Sequence, residues 1–128
     1  MKKYDTICID GINTLMDIFY AKIRVDKSGL GEVFNNAIGV SDEVWEAHKK
    51  KIANFWQGML LGLGDYSGQP LKVHLELPPF PREFFEIWLE LFDNSLRQVF
   101  CESVALEILQ KAQMIAKRFS IMIYDLPH

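Results

Sequence analysis

Apolar residues in this chain recur three and four positions apart, and nowhere do they alternate strictly. That spacing constrains the fold more than any other feature, because a period near 3.6 lays a stripe along a helix, whereas strands need a period of two. Ile12, Leu15, Met16, Phe19, Tyr20 and Ile23 form one such stripe. A break follows at Lys27-Ser28-Gly29-Leu30-Gly31, then a short apolar element, Val33-Phe34, and a second break around Gly39. Ser41 has the character of an N-cap, with Asp42 and Glu43 facing the positive end of the dipole, so a long helix is predicted from there to about Leu61. Trp45, His48, Ile52, Phe55, Trp56 and Met59 share its inward face.

Gly62 to Pro70 is turn-rich, Leu71 to Leu77 is long enough only for a turn or two of helix, and Pro78-Pro79-Phe80-Pro81 stops any helix. Two more helices are predicted. One runs from Arg82 to about Phe100 on Phe85, Trp88, Leu89, Phe92, Leu96 and Val99. The other runs from about Ser103 to Ile123 on Val104, Ile108, Leu109, Ala112, Ile115, Ala116, Phe119 and Met122. The fold class is therefore all-α. With 128 residues, 49% of them hydrophobic, and no repeat or linker, residues 1–128 are expected to form one domain. About two thirds of the unfolded surface can be buried at this size, so Cys8 and Cys101 need no structural role.

Charge removes several function classes. Lys and Arg number 14 against 17 Asp and Glu, for a net charge of −3, and the basic residues form no stripe, which speaks against a nucleic-acid partner. Lys49-Lys50-Lys51 reads as a solvated helix face. Asp5 and Asp10 interrupt the apolar stretch that a signal peptide beginning Met1-Lys2-Lys3 would need. No apolar run reaches the ~18 residues of a membrane helix. A cytoplasmic protein with reduced thiols and no membrane partner is expected, and monomer is the default. The chain has no glycine-rich phosphate loop, no Gly-x-Ser-x-Gly elbow and no paired-cysteine zinc motif, and His48, His74 and His128 have no ligand spacing on a common element.

Two residues fit poorly in an ordinary core. The Tyr20 phenol needs a partner on a buried stripe, and the His48 imidazole points into the same interior as Ile52. Aromatic residues make up 12% of the chain, and Phe19, Phe34, Phe55, Phe80, Phe85, Trp88 and Phe92 stand beside these few polar tips. The residues alone leave two readings open: an aromatic core with a satisfied histidine, or a pocket for a large planar apolar cofactor.

Several motifs are shared with a known family. Ile18-Phe19-Tyr20, Phe34-Asn35-Asn36-Ala37-Ile38-Gly39, Trp45 with His48-Lys49, Ile52 with Asn54-Phe55-Trp56, Gly64-Asp65-Tyr66-Ser67-Gly68-Gln69-Pro70, His74-Leu75, and Pro78-Pro79-Phe80-Pro81 through Trp88 resemble the group III truncated haemoglobins. The resemblance runs in order from about Tyr4 to Phe119. It implies a globin-like two-over-two helical sandwich around a b-type haem (iron protoporphyrin IX), with His74 as the proximal iron ligand and the opposite axial position free for a diatomic gas. Cys-x-x-Cys-His is missing, so no covalent tether is expected. On the family pattern Tyr20, His48 and Trp88 surround the gas. Haem contacts are implied for Phe34, Ile52, Phe55, Lys72, His74, Leu77, Phe80 and Trp88. Lys72 and Arg82 are the basic candidates for the propionates, since Val73 precedes the proximal histidine where a basic partner could stand. The Phe-Gly-Gly turn of other truncated globins is replaced by Gly64 to Pro70, as in group III.

The resemblance implies reversible O₂ binding at a five-coordinate haem, with high affinity and slow release, because the Tyr20 hydroxyl and Trp88 indole can donate to a ligand that gathers partial negative charge. NO and CO are the other diatomic ligands. The alternative is an enzyme using the same pocket for nitric oxide dioxygenation or peroxidase-like chemistry. That would need a reductase partner, since no flavin or nicotinamide module fits in the chain. Glu76, two residues from His74, points away along a helix and is poorly placed to strengthen a proximal imidazole. Whether His48 donates to the gas or swings outward as a gate stays open.

Overall fold

The computed structural model describes residues 3–62 and 83–120, with side chains as far as Lys117. Within them lie five helices: α1 (Ile9–Val25), α2 (Leu30–Ile38), α3 (Asp42–Leu61), α4 (Glu83–Val99) and α5 (Glu102–Ser120). The α1 stripe is buried as its spacing predicts: Ile12, Leu15, Met16, Phe19, Tyr20 and Ile23 all lie in the core. Burial of one such side chain stabilises the fold by about 1.5–3 kcal/mol. α1 packs against α2, α3 and α4, and α5 packs along α4. The predicted helices at 41–61, 82–100 and from 103 onward match α3, α4 and α5 to within a residue or two where described.

Short glycine-governed corners set the path between helices. Gly31 sits where the first turn of α2 crosses the end of α1, and a Cβ there would stand 2.6 Å from the carbonyl oxygens of Ile23 and Asp26. Only glycine lets the two backbones approach so closely. Gly39 closes α2 at φ +118°, in the left-handed region that disfavours other residues, and turns the chain into α3. Ser41 caps α3 as predicted, its hydroxyl accepting from the Val44 N–H at 3.3 Å.

Three features depart from the sequence reading. The short element at Val33-Phe34 is a complete nine-residue helix, α2, whose Leu30 and Phe34 reach the core. Its ends are fixed by glycines rather than by side-chain caps, which left only two apolar residues to read. Tyr4 forms an isolated parallel bridge with Phe100: the Tyr4 N–H donates to the Val99 carbonyl and the Cys101 N–H to the Tyr4 carbonyl, each at 2.9 Å. A single bridge carries no period. Met59, placed on the inward face of α3, is 41% exposed and borders an open cleft of 220 Å³ with Lys111, Met114 and Ile115.

Near the other end of the core Ser95 is fully buried, and its hydroxyl donates to the Leu91 carbonyl one turn back at 2.8 Å. That bond satisfies a polar atom that would otherwise cost stability. Cys8 and Cys101 are free thiols.

Candidate functional site

Neighbouring residues on a helix point about 100° apart, so Phe19 and Tyr20 address different partners. Tyr20 meets α3. Its ring lies 5.0 Å from that of His48, edge-on at 85°, and 5.7 Å from that of Trp45. Trp45 and His48 are three residues apart on α3, which brings their rings to 5.9 Å on one face. Phe19 meets α4 instead. It stands edge-on to Trp88 at 5.4 Å and to Phe92 at 5.1 Å.

Around Phe92 the rings lie flat. Trp88 stacks on one side at 5.2 Å and 11°, and Trp56 of α3 stacks at 5.4 Å and 19°. Phe55 adds an edge-on contact to Trp56 at 5.3 Å. Phe34 is buried and Ile52 is half-buried against the same core. Of the residues predicted for the site, the structure thus brings Tyr20 and His48 into direct contact and ties Trp88 to them through Phe19. It places Phe34, Ile52 and Phe55 in the adjoining apolar wall. Lys72, His74, Leu77, Phe80 and Arg82 lie outside the described residues.

Burial governs the electrostatics. It pushes the Tyr20 phenol well above its ordinary value, so the hydroxyl keeps its proton throughout the neutral range and remains a donor. Burial, reinforced by the nearby Lys51 charge, lowers His48 to about 4. At neutral pH the imidazole is therefore uncharged, with one N–H donor and one acceptor nitrogen. Its Nε2 is buried without a hydrogen-bond partner, the one such side-chain atom among the described residues. A buried, unpartnered polar atom costs free energy, and where it borders a functional pocket it marks where a polar ligand atom can be met.

Trp45 was not assigned a site role from the sequence, although its position three residues before His48 was visible. Its indole N–H donates to the Gly39 carbonyl at 2.9 Å, and the Arg24 guanidinium lies 5.3 Å from its ring centroid. Beside it, Lys49 clamps α3 to α1 through Asp17 at 2.9 Å and also pairs with Glu46.

The α1–α3 contact thus sets a protonated phenol and a neutral imidazole together among aromatic rings. No protein-family model matches the chain. A group 3 truncated haemoglobin of Campylobacter jejuni is 62% identical over 122 residues, which cover 95% of each chain. The chain belongs to the group III truncated haemoglobins. The crystal structure of a group III truncated haemoglobin from Campylobacter jejuni superposes with a TM-score of 0.92 at 59% identity, covering 99% of this chain and all of that one. Truncated-haemoglobin membership carries haem-based gas binding and a haem cofactor with it. The all-α, globin-like fold expected from the sequence is the fold observed. Among the described residues of this truncated haemoglobin no helix is long and apolar enough to cross a membrane.

Proposed function

We propose that this truncated haemoglobin binds O₂ reversibly and with high affinity at a five-coordinate b-type haem. His74 would hold the iron, and Tyr20, His48 and Trp88 would face the gas. Phe34, Ile52, Phe55, Leu77 and Phe80 would hold the macrocycle by apolar contact, and Lys72 would meet a propionate. When bound, the haem would supply an iron able to take up a diatomic gas.

The chain's own residues do the rest. Tyr20 presents a phenol that its burial keeps protonated, so it donates without competing for a proton. Trp88 carries an indole N–H, which is a donor only. His48, uncharged at neutral pH, offers a nitrogen to a polar ligand atom without placing a net positive charge in the pocket. Burial of Tyr20 and of the His48 Nε2 limits competition from water for these two groups. In such a dry setting a hydrogen bond is worth more than its usual ~1 kcal/mol net, and each ~1.4 kcal/mol is tenfold in affinity.

The observation that carries this reading is the buried, unpartnered His48 Nε2 on a ring 5.0 Å from the protonated Tyr20. The test is optical. The purified protein should give a ferric Soret band that shifts on reduction and again with CO, and a persistent oxygenated form. His74→Ala should lose or alter this series. Stopped-flow measurement of O₂ release should show Tyr20→Phe faster by about tenfold or more. An unchanged spectrum in His74→Ala would remove the axial assignment, and an unchanged release rate in Tyr20→Phe would remove the donor assignment.

A further inference from the structure

Trp45 touches both polar residues of the pocket while its own polar group points elsewhere. Its ring contacts Tyr20 at 5.7 Å and His48 at 5.9 Å, and it is 1% exposed. Its indole N–H is committed to the Gly39 carbonyl at the α2–α3 corner, so it cannot serve as a donor to a gas. Gly39 has a left-handed backbone that fixes the direction of that carbonyl. Arg24 from α1 lies over the indole at 5.3 Å and donates to the Val40 carbonyl at 3.2 Å and to Asp42 at 3.1 Å. The indole is thereby held by the corner through its N–H and by the end of α1 over its ring.

Tyr20 and His48, by contrast, have no such fixture between them. Their mutual contact is an edge-on ring contact, and the His48 Nε2 has no partner. An edge-on pair of rings tolerates rotation unless a third surface limits it. Phe19 stands edge-on to Tyr20 at 5.0 Å, and among the described residues Trp45 is the ring that meets both Tyr20 and His48.

We infer that Trp45 is a positioning residue: anchored to Gly39 and covered by Arg24, it fixes the orientations of the Tyr20 and His48 rings and so sets the polarity met by the gas. This rests on the proposed roles of Tyr20 and His48. It adds a determinant that makes no contact with the ligand itself, and it makes the α2–α3 corner part of the gas site.

The experiment uses the haem-loaded protein and carbon monoxide as a probe. The infrared CO stretch reports the field at the ligand, and O₂ release is timed alongside it. Trp45→Phe keeps a ring but loses the bond to Gly39. Its CO band should split or broaden, and O₂ should leave about fivefold faster. Arg24→Gln removes the cover from the surface side without opening the core, and should act in the same direction by about twofold. Ile108→Ala, a core truncation in α5, should lower the melting temperature while leaving the CO band in place. If Trp45→Phe fails to fold, Arg24→Gln decides alone.

A single unmoved CO band and wild-type release in the folded variants overturn the inference, whatever their stability. Tyr20→Phe, measured in parallel, separates the two levels. If it alone speeds release, the positioning role fails and the pocket assignment stands. If it too is silent, both fall.

Discussion

The two sides of α1 build aromatic structure in different ways. On the α4 side Trp56, Phe92 and Trp88 lie nearly parallel, with Phe19 closing them edge-on, and every ring is satisfied by another ring. On the α3 side Tyr20, Trp45 and His48 meet at steep or tilted angles, and the group carries a phenol, an imidazole and a buried nitrogen without a partner. Stacking on the α4 side gains stability from contact area. The α3 side gives up some of that to hold polar atoms away from water, where they can act on a ligand.

If that contrast is right, truncation should separate stability from gas binding. Phe92→Ala empties the centre of the stack and should cost about 3–5 kcal/mol in urea unfolding, with a milder effect on the CO band. Tyr20→Phe removes one oxygen and should cost little stability, yet speed O₂ release strongly. Equal stability losses in the two variants would erase the distinction between the two sides.

The next effect is a pH dependence confined to the α3 side. His48 titrates near 6.5 when unfolded and at about 4 in the folded protein, because burial and the Lys51 charge disfavour its cation. Between those values the unfolded chain holds more protons, so stability rises with pH. His48 thus makes no pH-dependent loss above about 6.5, and destabilises progressively as pH falls toward 4, by up to about 3 kcal/mol. Unfolding of wild type and His48→Gln compared across this range should show the loss in wild type and a flatter profile in the variant. The difference between the two profiles isolates His48 from other groups that titrate in acid. Parallel profiles would mean that the imidazole is hydrated in the folded state.

What the sequence disclosed follows the same division. The helical stripes were legible because burial on one face imposes a period, and Tyr20 could be placed on a buried face from that period alone. His48 was visible as a misfit beside Ile52. Neither its lack of a partner nor its contact with Tyr20 could be read, since both depend on how α1 crosses α3. Trp45 was illegible for the opposite reason. An indole on an inward stripe looks like core, and only the bond from its N–H to Gly39 distinguishes an anchored wall from simple filling. Helix α2 escaped because a nine-residue helix bounded by glycines has too few turns to show a stripe. The bridge between Tyr4 and Phe100 is a single isolated pair outside any strand and has no pattern to recognise.

The smallest effect tests whether the α3 side is also held from outside. Lys49 follows His48 directly and reaches across to Asp17 of α1 at 2.9 Å, with the lysine side chain 18% exposed and the aspartate 66% exposed. An ion pair with one partner so open to solvent contributes about 0.2–1 kcal/mol. Lys49 is also bonded to Glu46, so it keeps a counter-charge when Asp17 is removed, which pushes the expected value toward the lower end. Asp17→Asn should therefore lower stability by about half a kcal/mol or less in dilute buffer, and the difference should shrink at ~1 M salt, where the Debye length falls to about 3 Å. The CO band should not move, because Asp17 pairs with the Lys49 side chain and has no ring contact with Tyr20 or His48. A band shift in Asp17→Asn would show that the α1–α3 spacing, and not only the Trp45 wall, sets the orientation of His48.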